Sequence, residues 1–352
     1  MAYTTIDDPS AFFQTKLYTG NGGTNAITFD GNSDLQPDWV WIKNRSLSGG
    51  YAHNIFDSVR GTNTKLVTND NRDETSETNA LNSFNSDGFT LGEDSGTEEV
   101  NRNNGVQVSW NWKAGTSFSN DASSTGIGSI DSAGSVSTAA GFSIVTFTGN
   151  SGGIAHGLGQ KPDMVIIKPR NVDGSWIVTH KGLGAEMQDY YQFLDTTAAK
   201  ATSNDIWGGE PTTTTFSVSS SLIDSANYVA YCFAEKQGYS KFGSYTGNGN
   251  ADGTFVYTGF KPAWVMIKRT DSAKNWLILD NKRNTDDNPY NTELVANDSR
   301  AEETNIRFDS LCNGFKLRLA SGASNASGGN YIYMAFAEQP FVTSTGVPAT
   351  AR

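Results

Sequence analysis

One eight-residue stretch is written three times in this chain of 352 residues, and it has the pattern of a buried β-strand. The copies lie at 36–43, 161–168 and 261–268. Each has a proline at its second position, which fixes φ there, and then four apolar residues before a lysine. Because side chains alternate along a strand, Val40 and Ile42 share one face while Trp39 lies on the other. The pattern predicts a strand that is covered on both sides.

Other segments recur around this strand in a constant order. An aromatic-Thr-Gly-Asn turn precedes each copy, and an aromatic strand closes each unit at 108–112, 228–235 and 331–338. The second and third turns begin at Phe147 and Tyr245, 98 residues apart, whereas a low-complexity stretch separates the first two further. Short strands between Gly, Asn, Asp and Ser turns, repeated at this period, are typical of tandem β-sandwiches.

We therefore predict an all-β fold of three tandem antiparallel β-sandwich repeats of about 100 residues each. Three sandwiches in a row are favoured over one closed three-fold body, because each unit already carries two apolar faces. The Gly/Ser-rich linker is expected to be a flexible connector, with a short edge strand at 135–137 as the alternative. The predicted segments are a lead-in at 1–12, repeat 1 at 13–113, the linker at 114–140, repeat 2 at 141–237, repeat 3 at 238–339 and a tail at 340–352.

The composition argues against several partners. The formal net charge of −11 disfavours general attraction to nucleic acid or to an anionic membrane surface. No apolar run reaches membrane-spanning length, and the first residues lack the basic and apolar regions of a secretion signal. The expectation is a soluble protein made in a cytoplasm. A disulfide between the two cysteines, Cys232 and Cys312, is not predicted, because they stand in non-equivalent places.

Two related acidic loops are the candidates for a metal site. Asp70 and Asp73 lie in the loop of the first unit, and Asp298 and Glu302 lie in that of the third. Carboxylate oxygens suit a hard cation such as calcium. The loops lack the Gly-centred twelve-residue calcium pattern, and an exposed acidic loop is the commoner explanation of such clusters. The prediction is no cofactor, with calcium as the candidate if there is one.

Two further features could carry chemistry. The Gly-x-Ser-x-Gly pattern at 149–153 resembles a nucleophile turn, but the sister turns place Gly22 and Gly249 where Ser151 stands, so a plain turn is predicted. Because no catalytic set was found, no enzymatic activity is expected. Trp207 lies between carboxylates without a counterpart in the other units. It either stacks on a sugar ring or anchors its own loop.

Several motifs together resemble a known group of proteins. They are the Tyr-Thr-Gly-Asn-Gly turn, the strand at 37–45, Phe-Asp-Ser-Val-Arg-Gly at 56–61, Ser-Asp-Gly-Phe-Thr-Leu-Gly at 86–92 and the two chain ends. In these the chain resembles repeated-domain virion proteins of tailed bacteriophages, particularly marine ones. The resemblance covers nearly the whole chain. It implies lectin-like, concanavalin-like jelly-roll sandwiches and a virion structural protein, often a tail or tail-fibre component, without catalytic residues.

Three functions follow as hypotheses. The first is a tail or tail-fibre component that attaches to a glycan or protein on the host surface, and the second is a head-decoration protein. The third, a carbohydrate-active enzyme, is disfavoured. The expected partners are other virion proteins and a host glycan or receptor, and the expected location is the virion, assembled in the host cytoplasm. The chain could form a homotrimer, or its three units could supply three-fold geometry within one chain.

Overall fold

A computed structural model describes residues 2–47, 51–93, 100–149, 151–203, 205–222, 224–284 and 288–348. Strands account for 46% of the chain and helices for 3%, which confirms the predicted all-β class. We call 13–113 unit 1, 141–237 unit 2 and 238–339 unit 3, and we keep the word linker for 114–140. Two single-turn 3-10 helices lie at Pro9–Ala11 and Met187–Asp189.

Unit 1 consists of a large and a small antiparallel sheet. The large sheet has the order β1-β9-β3-β4-β5-β6, and the small one has the order β2-β8-β7. The strands are β1 (Phe13–Thr19), β2 (Asn25–Ile27), β3 (Trp39–Asn44), β4 (Asn54–Asp57), β5 (Gly61–Val67), β6 (Thr75–Ser76), β7 (Leu81–Asn85), β8 (Gly88–Leu91) and β9 (Val106–Trp112).

The linker is folded rather than extended. It forms β10 (Thr116–Asn120), a four-residue helix α1 (Ala122–Thr125) and β11 (Ser132–Ser137). β11 pairs with β10 on one side and with the first strand of unit 2 on the other. This stretch therefore does not form the expected flexible connector. The alternative, a short strand at 135–137, is present as part of β11, which forms a hairpin with β10. Small residues allow this close pairing, since a Cβ on Gly134 would lie 1.9 Å from the carbonyl oxygen of Ile144.

Unit 2 continues the sheet that the linker begins. The order is β10-β11-β12-β20-β14-β15-β16-β17, and a small sheet has the order β13-β19-β18. The strands are β12 (Phe142–Thr148), β13 (Gly152–Ala155), β14 (Met164–Pro169), β15 (Ile177–His180), β16 (Tyr190–Phe193), β17 (Ala201–Thr202), β18 (Trp207–Gly209), β19 (Thr215–Val218) and β20 (Asn227–Phe233).

Unit 3 curls its strands into one nearly closed eight-stranded barrel. The order is β21-β28-β23-β24-β25-β26-β27-β22. The strands are β21 (Ser240–Thr246), β22 (Phe255–Tyr257), β23 (Phe260–Arg269), β24 (Leu277–Asp280), β25 (Tyr290–Val295), β26 (Glu303–Leu311), β27 (Gly314–Leu317) and β28 (Asn330–Pro340).

The repeated stretch forms the buried strand that its pattern predicts. In β3 the Val40 and Ile42 side chains pack in a core that belongs to unit 1 alone. The corresponding Val and Ile pairs of β14 and β23 pack in separate cores of units 2 and 3. The opposite faces, which carry Trp39, Met164 and Trp264, meet in one central core that all three units share.

The shared core corrects the expected row of three separate sandwiches. Each large sheet covers its inner face with side chains of the other units, so the three units pack around a common centre. The ring centroids of Trp112 in unit 1 and Trp264 in unit 3 are 5.5 Å apart, and those of Trp39 in unit 1 and Tyr231 in unit 2 are 4.7 Å apart. The chain therefore forms the closed three-fold body that was disfavoured from the sequence. Each repeated strand is apolar on both faces because one face packs within its own unit and the other packs against the other units.

Hydrogen bonds run around the centre in one direction and close a ring. Each passes from a side chain of one unit to a main-chain oxygen of the next. The bonds are Trp176 Nε1 to Val67 O at 2.7 Å, Trp276 Nε1 to Phe193 O at 2.8 Å and Thr68 Oγ1 to Ala296 O at 2.7 Å. Unit 2 thus binds unit 1, unit 3 binds unit 2 and unit 1 binds unit 3, as in a cyclic trimer made from one chain.

Candidate functional site

The lysine that ends each repeated strand lies at the boundary between two units. All three lysines are fully buried, and each donates to a main-chain oxygen of the neighbouring unit. The bonds are Lys43 Nζ to Ser299 O at 3.1 Å, Lys168 Nζ to Asn71 O at 3.0 Å and Lys268 Nζ to Thr197 O at 2.9 Å. Burial lowers the pKa of Lys43 and of Lys168 to about 8 and that of Lys268 to about 7. The repeated lysine therefore joins units and is closed to solvent.

A buried Asp and Arg pair occurs at equivalent places in units 1 and 3. The Asp57 carboxylate accepts from Arg60 Nε at 2.5 Å and from the hydroxyl of Tyr231 in unit 2 at 2.7 Å. In unit 3, Asp280 accepts from Arg283 Nε at 2.6 Å and from Trp110 Nε1 of unit 1 at 2.9 Å. These carboxylates bind an arginine of their own unit and a ring of the next.

Unit 2 replaces that aspartate with a histidine. His180 Nε2 donates to the main-chain oxygen of Tyr333 in unit 3 at 3.1 Å. Burial lowers the pKa of His180 to about 3, so the imidazole is neutral at physiological pH. The position keeps its contact with the next unit although its chemistry has changed from a carboxylate to a neutral ring.

Glu302, one of the calcium candidates, belongs to the same network. Its two carboxylate oxygens accept from Arg45 of unit 1 at 2.9 and 3.0 Å, and Arg283 donates to it at 3.0 Å. Glu74 makes the equivalent contacts in unit 1, with Arg60 and with Arg170 of unit 2. Burial opposes ionisation of Glu74, but these arginines outweigh it and lower the pKa of Glu74. Two guanidinium groups occupy the oxygens that a cation would need.

The other three calcium candidates are dispersed. Asp70 is paired with Arg72 at 3.4 Å, and Asp298 accepts from the main-chain N–H of Arg300 at 3.0 Å. Asp73 bonds to Asp173 through its main-chain N–H. Within the described residues, no three His, Cys, Asp or Glu side chains form a group that could hold a metal ion. The acidic loops stabilise turns and unit boundaries instead.

Trp207, the candidate for stacking on a sugar, lies in β18 and not in an open loop. Its side chain is only 4% exposed and packs with Phe216 and Val218 in the core of unit 2. The ring has no free face for a ligand in this conformation. In the sequence Trp207 lies between carboxylates, which suggested an exposed loop. The three-residue strand that turns its side chain inward is too short to show a pattern in the sequence. Of the two readings, anchoring of its own segment fits the geometry.

His53 and Asp57 precede Ser151 in the His, Asp, Ser order of one class of serine protease, but their contacts keep them apart from it. His53 is buried and accepts from Trp41 Nε1 at 2.9 Å, while Asp57 is held by Arg60. Ser151 lies exposed in the turn before β13. Burial lowers the pKa of His53 well below its usual value, and the charge of Lys43 adds to this effect. The two groups serve the central core, and the turn prediction for Ser151 fits its position.

A groove of about 840 Å³ lies where the linker hairpin meets unit 2. Its lining is mostly Ser, Thr and Asn. Arg170 on its wall already binds Glu74, and Asp121 accepts from the hydroxyls of Ser123 and Ser124. The charged groups of this groove are thus engaged with neighbours and do not converge on its interior.

With this geometry in view, the comparisons give one assignment. The sequence matches a family described as a domain of unknown function (DUF7483) over residues 8–340. The chain belongs to this family. No curated protein and no solved structure matches it. The DUF7483 match covers the linker and all three units, so the family module is the whole closed body and not a single repeat. No helix in the described part of this DUF7483 chain is long and apolar enough to cross a membrane.

Two exposed aromatic rings of the DUF7483 body were missed from the sequence. Phe255 and Tyr257 flank the buried Val256 in the edge strand β22 and are 44% and 52% exposed. Their signal was present as the alternation of three residues, with the large rings on the outward face.

Proposed function

We propose that this DUF7483 protein is a non-enzymatic structural component of a bacteriophage particle. In this proposal it belongs to the tail or tail fibre and contacts a glycan or protein on the host surface. The observation that carries the proposal is the closed three-unit ring, whose buried lysines and arginine–glutamate pairs join unit to unit. Such a body is three-fold in character, which suits an element mounted on a symmetric assembly. The resemblance of the sequence motifs to phage virion proteins supports the same conclusion.

The chemistry of the buried groups supports a structural role over an enzymatic one. The three histidines are buried, and burial lowers the pKa of His156 to about 4 and that of His180 to about 3. A general base at neutral pH needs a pKa near the working pH and access to substrate. These imidazoles have neither, and the buried carboxylates Asp57 and Asp280 already bind arginines.

The finer fold assignment forms part of the proposal. Units 1 and 2 each have a large and a small sheet around a private core, and unit 3 closes the same elements into a barrel. We infer lectin-like jelly-roll sandwiches that have been modified by sharing their inner faces. In a sandwich that stood alone, the face of the large sheet that here points to the shared core would be exposed to water.

A head-decoration protein is the second candidate, and the same ring geometry supports it. An icosahedral shell has three-fold positions between its subunits, and a single chain with three similar faces can contact three neighbours there. A tail fibre offers three-fold symmetry as well, so the location on the particle separates the two functions.

The test is to locate the chain on purified particles. Mass spectrometry of the particles should detect it in stoichiometric amounts, and gold-labelled antibodies should mark the tail tip or fibres in electron micrographs. Label distributed over the head would replace the tail assignment with decoration. Particles that lack the chain altogether would contradict both.

A further inference from the structure

The outward face of β22 in unit 3 carries two large rings in contact with solvent. Phe255 and Tyr257 lie two residues apart on an edge strand, so both point away from the core while Val256 is 5% exposed. Their Cα atoms are about 7 Å apart. A ligand with two or more consecutive rings can therefore contact both side chains at once.

The sister units show that the fold does not require these rings. Val256, Ile27 and Ile154 are equivalent, because they pair with Phe315, Phe89 and Phe216 of the neighbouring strand. The positions on either side are Ala26 and Thr28 in unit 1, and Gly153 and Ala155 in unit 2. Three copies of one scaffold thus carry small residues at these two places twice and large aromatic rings once. The scaffold itself therefore does not require aromatic rings at these positions.

The surroundings hold one ring in place and leave its side open. Gly314 lies opposite Tyr257 in the ladder, and a Cβ there would come within 2.1 Å of the main-chain oxygen of Val256. The backbone therefore requires glycine, and residue 314 contributes no side chain to that flank of the tyrosine. The hydroxyl of Tyr3 donates to Gly259 O at 2.8 Å and lies 3.4 Å from the hydroxyl of Tyr257.

The charges beside the rings are balanced. Lys316 lies opposite Phe255 and pairs with Asp252 at 2.6 Å, while Arg318 pairs with Asp309 at 3.3 Å. The Lys316 ammonium lowers the pKa of Asp252, which stays ionised at neutral pH. The rim thus offers hydrogen-bond donors and acceptors without a net charge. In a chain of net charge −11 this suits a neutral polar ligand better than an anionic one.

The size of the apolar surface separates a small ligand from a protein partner. An aromatic side chain can bury 150–250 Å², so two half-exposed rings offer on the order of 200 Å². A stable protein interface buries about 800 Å² on each partner. A sugar ring needs far less, because its C–H face packs flat on the negative face of one aromatic ring while its hydroxyl groups bond to the polar rim.

We propose that Phe255 and Tyr257 form a platform for a neutral saccharide. One sugar ring packs on Tyr257 and the next on Phe255, and Lys316 and Asp252 exchange hydrogen bonds with the hydroxyl groups. For the source of the saccharide, a host-surface glycan, the inference rests on the proposed function. The platform itself is defined by residues of unit 3, with Tyr3 beside Tyr257.

The test uses the full chain and a panel of neutral linear tetrasaccharides built from glucose, galactose or mannose. Saturation-transfer NMR should show transfer to at least one of them, and a titration should give a dissociation constant in the millimolar range or tighter. The double variant F255A/Y257A should weaken that affinity at least ten-fold. The matched control A26S/T28A, at the equivalent positions of unit 1, should leave it unchanged.

A stability control and a conservative variant separate loss of the platform from loss of folding. Both rings are exposed, so F255A/Y257A should unfold at the wild-type temperature; if it does not, the single variants F255A and Y257A replace it. F255Y keeps a ring and should retain binding. Absence of transfer from every saccharide, or equal affinity in F255A/Y257A, would overturn the platform. Particles without the chain would contradict the proposed function and leave the binding result unaffected, so the two failures are distinguishable.

Discussion

At the scale of single residues, the structure depends on buried charges that bond across unit boundaries. The side chains of Asp280 and Arg283 are both fully buried, and Asp280 also accepts from Trp110 of unit 1. Removing one member of a buried pair leaves the other charge without compensation. We therefore expect Asp280→Asn to lower the free energy of unfolding by about 3–5 kcal/mol in urea titrations.

The control for this variant is an exposed carboxylate in a similar pair. Asp30 contacts Lys16 and Lys282 and is 53% exposed, so water already solvates its charge. Asp30→Asn should cost less than about 1 kcal/mol. Equal losses for both substitutions would show that the buried pair contributes nothing beyond an ordinary surface contact.

The buried lysines predict a pH dependence of stability. Burial lowers the pKa of Lys268 to about 7 in the folded chain, whereas an unfolded lysine titrates near pH 10.4. Between these values the unfolded state binds more protons, so the free energy of unfolding rises with pH. Relative to Lys268→Met, the wild type should gain about 1 kcal/mol per pH unit between pH 7.5 and 9.

The comparison with Lys268→Met cancels the groups that the two proteins share. Lys282→Met is the matched control, since that lysine is 45% exposed and should give the wild-type slope. Parallel pH profiles for wild type and Lys268→Met would contradict the prediction. They would mean that the oxygens of Thr197 and Lys274 hold the ammonium form strongly enough to cancel the effect of burial.

At the scale of strands, the sequence predicted most where one pattern was repeated. The middle strands, the closing strands and the turns all recur. In units 1 and 3 a buried Asn from a later segment bonds to the Asn of the turn. Asn101 donates to Asn21 and Asn325 donates to Asn248, at equivalent places in units 1 and 3. The linker was harder to predict, because Gly and Ser carry no apolar alternation. Its strands form by pairing with the edge of β12, and this pairing leaves no pattern in a sequence rich in Gly and Ser.

The folded linker predicts protection from hydrogen exchange. Amides of Ser132–Ser137 should exchange about as slowly as those of β12, since the two strands are paired along their whole length. Gly134→Val should release β10 and β11 while units 1 and 3 keep their protection. Ala133→Val is the control, because Ala133 lies in the same strand with its side chain exposed. Rapid exchange of this segment in the wild type would restore the flexible connector.

For the whole molecule, the feature that sequence could not reveal is the identity of the partner on each inner face. The alternation around Trp39 or Trp264 is the same whether the covering layer comes from the same unit or from another. The choice depends on contacts between residues far apart in the chain, such as Trp112 with Trp264. The same limit applies to the candidate site. Glu302 was predicted to lie in an exposed acidic loop, because its partner Arg45 is far away in the sequence.

The shared core makes a last prediction about cooperativity. Trp264 packs in the central core, whereas Phe315 packs in the private core of unit 3, and both are fully buried. Each substitution by Ala should cost about 3–5 kcal/mol. Their effects on native-state hydrogen exchange should differ, since Trp264→Ala removes contacts with Trp110 and Trp112 of unit 1. We expect it to accelerate exchange in all three units, and Phe315→Ala to accelerate it mainly in unit 3. If both variants loosened unit 3 alone, the three units would be independent domains that merely touch.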